Sequence, residues 1–242
     1  MRVGSPPLHV LGLDAGGTKT VCLLADADAR IISLAKRGGA NLQASGELEV
    51  EKVLHDVMEE AIGERDIAPA AICLGIAGVD RPHDADVIRG IMRRIGYKAR
   101  ILVVNDALVA LEAGAPGQPG VVIISGTGSI AYGRNASGQA ARAGGWGYML
   151  GDEGSGYWIG RAALRAVLRA ADERGPKTAL TPMLLEHFRV GRPQELIHEI
   201  YQTNLQPASI GALASCVQSA FTQEDEVAVG ILQGAARELE SG

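Results

Sequence analysis

The chain has 242 residues, 47% of them hydrophobic, and a formal net charge of −5 at pH 7. This amount of apolar side chain supplies a sizeable core, so the composition excludes an intrinsically disordered protein. The 23 lysines and arginines are scattered along the chain, which forms neither a basic face for nucleic acid nor a polybasic patch for a membrane. We therefore expect a small-molecule partner, with no nucleic acid and no membrane.

The cysteines and the hydropathy pattern indicate the compartment. Cys22, Cys73 and Cys216 are odd in number, far apart and each set in an apolar run, which predicts buried thiols and not a disulfide framework or a metal site. No stretch approaches the roughly 18 consecutive apolar residues that a membrane span needs. These features predict a cytoplasmic protein.

The first half of the chain predicts a meander followed by alternating helices and strands. Three short apolar runs separated by turn residues predict antiparallel strands over residues 8–13, 20–25 and 30–35. Helical spacing predicts helices over 47–64, 85–95 and 107–113, and continuous apolar runs predict buried strands over 70–77 and 101–104. The predicted order is βββαβαβα.

Residues 114–120 contain two prolines and three glycines and can sustain neither a helix nor a strand. We therefore predict an N-terminal lobe of residues 1–115 and a C-terminal lobe of residues 116–242. The second lobe repeats the opening of the first, with strands over 121–125, 130–133 and 139–143. Only helices follow, over 157–173, 181–188, 194–202, 209–221 and 224–240, so by analogy the second lobe lacks two strands and is C-terminally incomplete.

A Gly-Thr turn follows the first strand of the first lobe. The strand ends in Asp14, turns through Gly16 and Gly17, and returns as a strand with Thr18 and Lys19. The backbone N–H groups and the Thr18 hydroxyl of such a turn can bind phosphate. The pattern is not a Walker A loop, because Lys19 follows the threonine and no helix begins there. The alternative is a glycine-rich hairpin with a solvated lysine.

A second Gly-Thr turn follows the first strand of the second lobe, at Gly126, Thr127 and Gly128. The glycine spacing also fits the dinucleotide fingerprint, which alone would suggest a nicotinamide oxidoreductase. A dinucleotide loop must open a helix, whereas the residues after this turn have a strand-like period. Two matching turns on two lobes instead suit a phosphate chain held between them.

Two further stretches carry candidate site residues. Asp106 directly follows a predicted buried strand, at the sheet edge where ligands of open α/β sheets bind, and its carboxylate is either a general base for a hydroxyl or a helix N-cap. Residues 144–156 are rich in glycine and aromatic side chains. There the indole of Trp146 can cover a sugar ring and Asp152 or Glu153 can accept hydroxyl hydrogen bonds, unless both acids merely precede the next helix.

Five motifs in order resemble those of the N-acetylglucosamine kinase branch of the sugar-kinase, Hsp70 and actin superfamily and of the BadF/BadG/BcrA/BcrD ATPase family. They are Asp-Ala-Gly-Gly-Thr-Lys-Thr at 14–20, Asn41 after Gly-Gly-Ala, Asn-Asp-Ala at 105–107, Ser-Gly-Thr-Gly-Ser at 125–129, and the Gly-Trp-Gly and Gly-Asp-Glu-Gly-Ser segments within 145–155. The resemblance spans about residues 10–165. It implies an α/β fold of two ribonuclease H-like (actin-like ATPase) lobes, each opening with a three-stranded antiparallel meander.

The resemblance also implies a reaction, the ATP-dependent phosphorylation of N-acetylglucosamine or glucosamine at the 6-hydroxyl. Asp106 would be the base, and Asp14 would hold Mg²⁺ through water. The ATP phosphates would be bound by Gly16, Gly17, Thr18, Lys19, Gly126, Thr127 and Gly128, and the sugar by Asn41, Gly78, Asp106, Gly145, Trp146 and Asp152.

Two alternatives remain open at this point. A BadF-type activator couples ATP hydrolysis to electron transfer through a cysteine-held iron–sulfur cluster, although these cysteines lack a cluster-like spacing. The other alternative is a truncated, non-catalytic protein that binds sugar or nucleotide. The family's adenosine site uses a Gly-Gly turn after a strand of the second lobe, and no such strand is predicted after the last helix. Uncovered helix faces in such a lobe would favour self-association, which makes a homodimer an expected assembly.

Overall fold

The computed structural model describes residues 8–40, 42–79, 82–202 and 205–242. It divides into two compact units, the first ending at Gly120 and the second beginning at Val121, a few residues after the division predicted from the sequence. Each unit has a hydrophobic core of its own. The predicted mixed α/β class is confirmed.

The first unit is built on a five-stranded sheet. Its strands are β1 (His9–Ala15), β2 (Lys19–Asp26), β3 (Ile31–Gly38), β4 (Ala71–Ile76) and β5 (Arg100–Asn105), in the order β3-β2-β1-β4-β5. The pairs β1–β2 and β2–β3 are antiparallel, whereas β4 is parallel to both β1 and β5. The carboxyl ends of β1, β4 and β5 therefore lie at one edge of the sheet.

Three helices complete the first unit: α1 (Leu42–Ile62), α2 (Pro82–Ile95) and α3 (Asp106–Gly114). Helix α1 begins before the predicted residue 47 and contains a kink at Gly46, whose φ of 76° suits a residue without Cβ. Leu74 and Ile76 of β4 belong to the core. Gly75 between them faces the other way and lies against α3, so α3 packs on the opposite face of the sheet.

The second unit begins with a three-stranded sheet and continues with helices. The strands β6 (Gly120–Ser125), β7 (Ser129–Arg134) and β8 (Ala140–Gly144) lie in that order, and β7 and β8 are antiparallel. The helices are α4 (Gly156–Ala171), α5 (Leu180–Phe188), α6 (Leu196–Tyr201), α7 (Pro207–Ala212), α8 (Ala214–Phe221) and α9 (Glu226–Ser241), with a 3-10 turn at Pro193–Glu195. None of the helices in the described ranges is long and apolar enough to cross a membrane.

The predicted helix over residues 209–221 is wrong in one respect, because the structure has two helices there, α7 and α8. The backbone tightens at Leu213, whose N–H bonds to the Ile210 carbonyl three residues earlier at 3.1 Å. Helix α7 also lies very close to α4, since a Cβ at Gly160 would come within 2.0 Å of the Ile210 carbonyl oxygen. The predicted helix over 194–202 is likewise divided, into the 3-10 turn and α6.

Candidate functional site

The first Gly-Thr turn joins β1 to β2 and is tightly packed against the chain that follows β3. The turn is closed by a 2.9 Å hydrogen bond from the Gly16 N–H to the Lys19 carbonyl, and the Ala40 N–H donates to the Gly16 carbonyl at 3.0 Å. A Cβ at Gly39 would lie 2.2 Å from the Gly17 carbonyl oxygen. Gly39 is therefore a position that only glycine fits, and the sequence reasoning did not identify it.

Two acidic side chains, Asp14 and Asp106, lie on either side of Gly75. Asp14 is exposed and pairs in register with Gly75 on the neighbouring strand, about 4.8 Å away as strand spacing requires. A Cβ at Gly75 would come 3.5 Å from the Asp106 Cα and 2.6 Å from Cγ2 of Val109 in α3. The missing side chain thus lets α3 approach β4 and brings Asp106 to the edge that carries Asp14.

Asp106 is the first residue of α3 and is half-buried. The helix N-cap is Asn105, whose side-chain oxygen accepts a hydrogen bond from the Ala107 N–H at 2.8 Å; Oδ1 of Asp106 accepts from the same N–H at 2.9 Å. Asn105 therefore occupies the cap position, and Asp106 shares the hydrogen bond from the Ala107 N–H with it. The N-terminus of a helix stabilises a negative charge placed there.

Gly78 follows β4 at the same edge of the sheet. The Ala77 N–H donates to the Ala15 carbonyl at 2.9 Å, which extends the pairing of β1 and β4 beyond the strands, and Gly78 then turns the chain with a φ of 77°. The first unit thus gathers Asp14, the Gly-Thr turn, Gly78 and Asp106 at one edge. Asn41, the other sugar-site residue predicted for this unit, lies outside the described residues.

The second Gly-Thr loop, residues 126–128, which is the second predicted phosphate loop, lies on the N-terminus of α4. The N–H groups of Gly156 and Tyr157 donate to the carbonyls of Gly126 and Thr127, at 2.8 and 3.3 Å, and the Gly126 N–H donates to the Gly128 carbonyl at 2.9 Å. The residues after the loop form β7 and not a helix, as the sequence predicts, so the dinucleotide fingerprint has no structural counterpart here.

The aromatic loop, residues 144–151, follows β8 in the same unit. Trp146 is 57% exposed, and the Arg142 guanidinium lies 4.6 Å from the centre of its ring. Gly145 has a φ of 68°, and its N–H donates to the Ser129 carbonyl at 2.9 Å. The aromatic loop therefore begins beside the second Gly-Thr loop and presents an indole to the surface of the unit.

Asp152 is buried between these two loops, with only 7% of its surface exposed. Burial raises the pKa of its carboxyl group, and this shift is opposed by hydrogen bonds from the backbone N–H groups of Gly147 and Ser129. Helix α4 is capped by Ser155, whose hydroxyl accepts from the Trp158 N–H at 3.2 Å. Capping of α4 therefore does not explain Asp152, whose carboxylate faces the loop backbone.

The three cysteines are free thiols, and the prediction that they are buried holds for Cys22 only, because Cys73 and Cys216 are half-buried. Cys22 is fully buried on β2, and burial raises the pKa of its thiol to about 12, so a thiolate, the form that binds metals, is disfavoured. Within the described ranges, no three His, Cys, Asp or Glu side chains are grouped so as to hold a metal ion.

Comparisons with known proteins agree on the family. The N-acetylmuramic acid/N-acetylglucosamine kinase of Clostridium acetobutylicum is 41% identical over 234 residues, which are 96% of this chain and 76% of that protein. The N-acetyl-D-glucosamine kinase of Dictyostelium discoideum is 36% identical over 244 residues, which cover 95% of this chain and 76% of that protein.

Solved structures show the same fold. A proposed N-acetylglucosamine kinase from Chromobacterium violaceum superposes with a TM-score of 0.84 at 27% identity, covering 97% of this chain and 81% of that chain. A Streptomyces griseus glucokinase of the ROK family, solved with glucose and AMPPNP, matches in fold at a TM-score of 0.52 and 18% identity, over 96% of this chain and 76% of that one. The sequence profile of the BadF/BadG/BcrA/BcrD ATPase family matches residues 11–242, and the chain belongs to this family.

Proposed function

We propose that this chain is an ATP-dependent amino-sugar kinase. The relatives that are 41% and 36% identical over most of its length are kinases of N-acetylmuramic acid, N-acetylglucosamine or both. The observation that carries the residue assignments is the placement of Asp14 and Asp106 on either side of Gly75, at the carboxyl edge of the parallel strands. Ligands of open α/β sheets bind at this edge.

The acceptor is N-acetylglucosamine or glucosamine, and the 6-hydroxyl is the attacking group. Trp146 supports a sugar as the acceptor, because its exposed indole offers an apolar face of the kind that sugar rings bind. Gly145 and Asp152 adjoin it in the second unit. Gly78 is the proposed sugar contact of the first unit, and Asn41, the other residue proposed there, lies outside the described residues.

Asp106 acts as the general base in this proposal. Its carboxylate takes the proton of the sugar hydroxyl as the hydroxyl oxygen forms a bond to the γ-phosphorus of ATP. The bond from this phosphorus to the oxygen that bridges to the β-phosphate breaks, and ADP leaves. General-base catalysis of this kind contributes about 10²–10⁴-fold in rate. Asp106 lies in the first turn of α3, where the helix dipole favours a negative charge.

The two Gly-Thr loops bind the ATP phosphates. Gly16, Gly17, Thr18 and Lys19 form an exposed turn with backbone N–H groups and an ammonium group near the end of β1. Gly126, Thr127 and Gly128 lie on the N-terminus of α4, where the helix dipole favours anions. Such preorganised donors stabilise the negative charge of the phosphoryl group during transfer.

Asp14 is the residue that would hold Mg²⁺. Mg²⁺ keeps several water ligands and is bound through one or two carboxylates together with substrate phosphates. A single exposed carboxylate beside a phosphate turn fits this mode of binding, whereas an all-protein cage would need several ligands. When bound, Mg²⁺ neutralises charge on the phosphates.

The units correspond to the two ribonuclease H-like lobes of the actin-like ATPase fold in this proposal. The strand order β3-β2-β1-β4-β5 of the first unit, with β1 to β3 as an antiparallel meander, supports its assignment. The three-stranded opening of the second unit supports a corresponding assignment there.

The test is ADP release by the purified chain with Mg-ATP, in parallel with N-acetylglucosamine, glucosamine, N-acetylmuramic acid and no sugar. We expect release that depends on the sugar, with the fastest acceptor identifying the substrate. Equal ADP release in all four reactions, or none in any, would contradict the proposal.

A further inference from the structure

Asp152 connects the aromatic loop to the second phosphate loop. One oxygen of its carboxylate accepts a hydrogen bond from the Gly147 N–H, in the aromatic loop, at 3.2 Å. The backbone N–H of Ser129, directly after the phosphate loop, donates to the same carboxylate. One buried side chain is therefore bonded to the backbone of both loops.

The carboxylate also fills the space beneath Gly128. A Cβ at Gly128 would lie 2.6 Å from Oδ2 and 3.1 Å from Cγ of Asp152, both too short for a normal contact. The Asp152 carboxylate therefore occupies space that is free only because Gly128 has no side chain. Any displacement of the carboxylate is transmitted to the phosphate loop, because packed groups have no free volume to absorb it.

Two hydrogen bonds to the residues directly after Asp152 reinforce the connection. The Ser129 hydroxyl donates to the Glu153 carbonyl at 2.7 Å, and the Ser125 hydroxyl donates to the Gly154 carbonyl at 2.9 Å. Asp152 itself has a φ of 58°, which a non-glycine residue adopts only where its surroundings hold it. These contacts connect the segment that contains Asp152 to the strands on either side of the phosphate loop.

We propose that Asp152 is a positioning residue that couples sugar binding at the aromatic loop to ATP-phosphate binding at the second phosphate loop. The inference rests on the proposed function, since it takes the sugar to bind beside Trp146. A sugar bound to the aromatic loop would fix the position of the Gly147 N–H and so of the Asp152 carboxylate that accepts its hydrogen bond. The carboxylate in turn would fix Gly128 and Ser129. By linkage, sugar and nucleotide then strengthen each other's binding by the same factor.

The experiment measures the affinity for AMPPNP with and without saturating N-acetylglucosamine by calorimetry, in wild type, Asp152→Asn and Gly128→Ala. In wild type we expect the sugar to tighten AMPPNP binding at least about fivefold, as is usual for coupled sites. The amide of Asp152→Asn keeps one acceptor oxygen but loses the other, and the methyl of Gly128→Ala displaces the carboxylate. In both variants we expect the sugar to change the affinity for AMPPNP by less than about twofold.

Glu153→Gln is the matched control, because it changes an exposed carboxylate next to Asp152 and should keep the wild-type ratio. Gly128→Ala serves as the second variant if Asp152→Asn lowers the melting temperature strongly. A variant that binds sugar more weakly but keeps the full ratio would overturn the inference, since Asp152 would then be a sugar ligand only. Sugar-dependent ADP release by wild type separates this outcome from a failure of the proposed function; without such release, both fail together.

Discussion

The two Gly-Thr loops have similar sequences but are held in place by different means. The first is closed by its own backbone hydrogen bond and fixed by the close approach of Gly39 to Gly17. The second lies on the N-terminus of α4 and is fixed by the buried side chain of Asp152. The contact of Gly39 with the Gly17 peptide is possible only because Gly39 has no side chain, whereas a helix terminus offers N–H groups that need polar partners. The first loop should therefore be sensitive to added carbon atoms, and the second to lost polar atoms as well.

The largest effect is expected where the first unit carries the proposed chemistry. Asp106→Asn removes the proton acceptor and keeps the side-chain volume, so sugar-dependent turnover should fall about 10²–10⁴-fold. The stabilisation of the protein by AMPPNP and sugar, measured as a shift in melting temperature, should persist. Turnover within twofold of wild type would show that Asp106 is not the base.

The next largest effect is expected from a substitution that changes how closely α3 approaches β4. Gly75→Ala places a methyl group 2.6 Å from the Val109 side chain, which should push α3 and Asp106 outward and lower kcat about 10- to 100-fold, since small misplacements of reacting groups are costly. Adding Val109→Ala removes the obstructing methyl groups and should restore most of kcat. Gly12→Ala is the control, because a Cβ at Gly12 of β1 meets no atom within 4 Å. A double variant as slow as Gly75→Ala would argue against this role of Gly75.

A smaller effect is expected at the first loop itself. The added Cβ of Gly39→Ala would overlap the Gly17 peptide, so the turn must shift; overpacking of this kind costs about 1–3 kcal/mol. We expect a lower melting temperature and an increase of roughly tenfold in KM for ATP, which corresponds to about 1.4 kcal/mol. Gly38→Ala, with open space around its Cβ position, should match wild type. Equal KM values for the two variants would contradict the account.

The smallest expected effect is a pH-dependent change in stability when Asp152, which contacts the second loop, is replaced. Burial raises the pKa of Asp152 above its value in the unfolded chain, against the opposing N–H bonds. A carboxyl group whose pKa is higher in the folded than in the unfolded chain contributes stability below its unfolded-state pKa. This contribution is lost as the pH rises through its folded-state pKa. The melting temperature of Asp152→Asn relative to wild type should therefore improve as the pH is raised from about 4 to 7. A difference that does not change with pH would mean that this carboxyl group has a normal pKa.

The order of elements was predictable because their hydrophobic periods are clear. The strand after the second Gly-Thr turn, for example, follows from turn residues that would break a helix, and β7 is found there. The division of residues 209–221 into two helices was not predictable, since it depends on how closely α7 packs against Gly160. A break of this kind leaves the helical period of the sequence almost unchanged.

Site residues were predictable where their type and their place after a strand or in a turn indicate the role. They were not predictable where the role depends on packing in the folded chain. Asp106 could be placed at a strand end from the preceding apolar run, and the Gly-Thr turns from their composition. Gly75 and Gly39 were missed, because a glycine that permits a close approach looks the same in sequence as one in a turn. The burial of Asp152 was also missed, since only the folded loops show that its carboxylate meets backbone N–H groups.

The most direct test of the central claim is phosphorus NMR of a reaction that contains the chain, Mg-ATP and N-acetylglucosamine or glucosamine. The account predicts that ADP and a sugar 6-phosphate appear in equal amounts, and that Asp106→Asn forms neither at a comparable rate. Inorganic phosphate as the product in place of a phosphorylated sugar would contradict it, because the chain would then hydrolyse ATP without an amino-sugar acceptor.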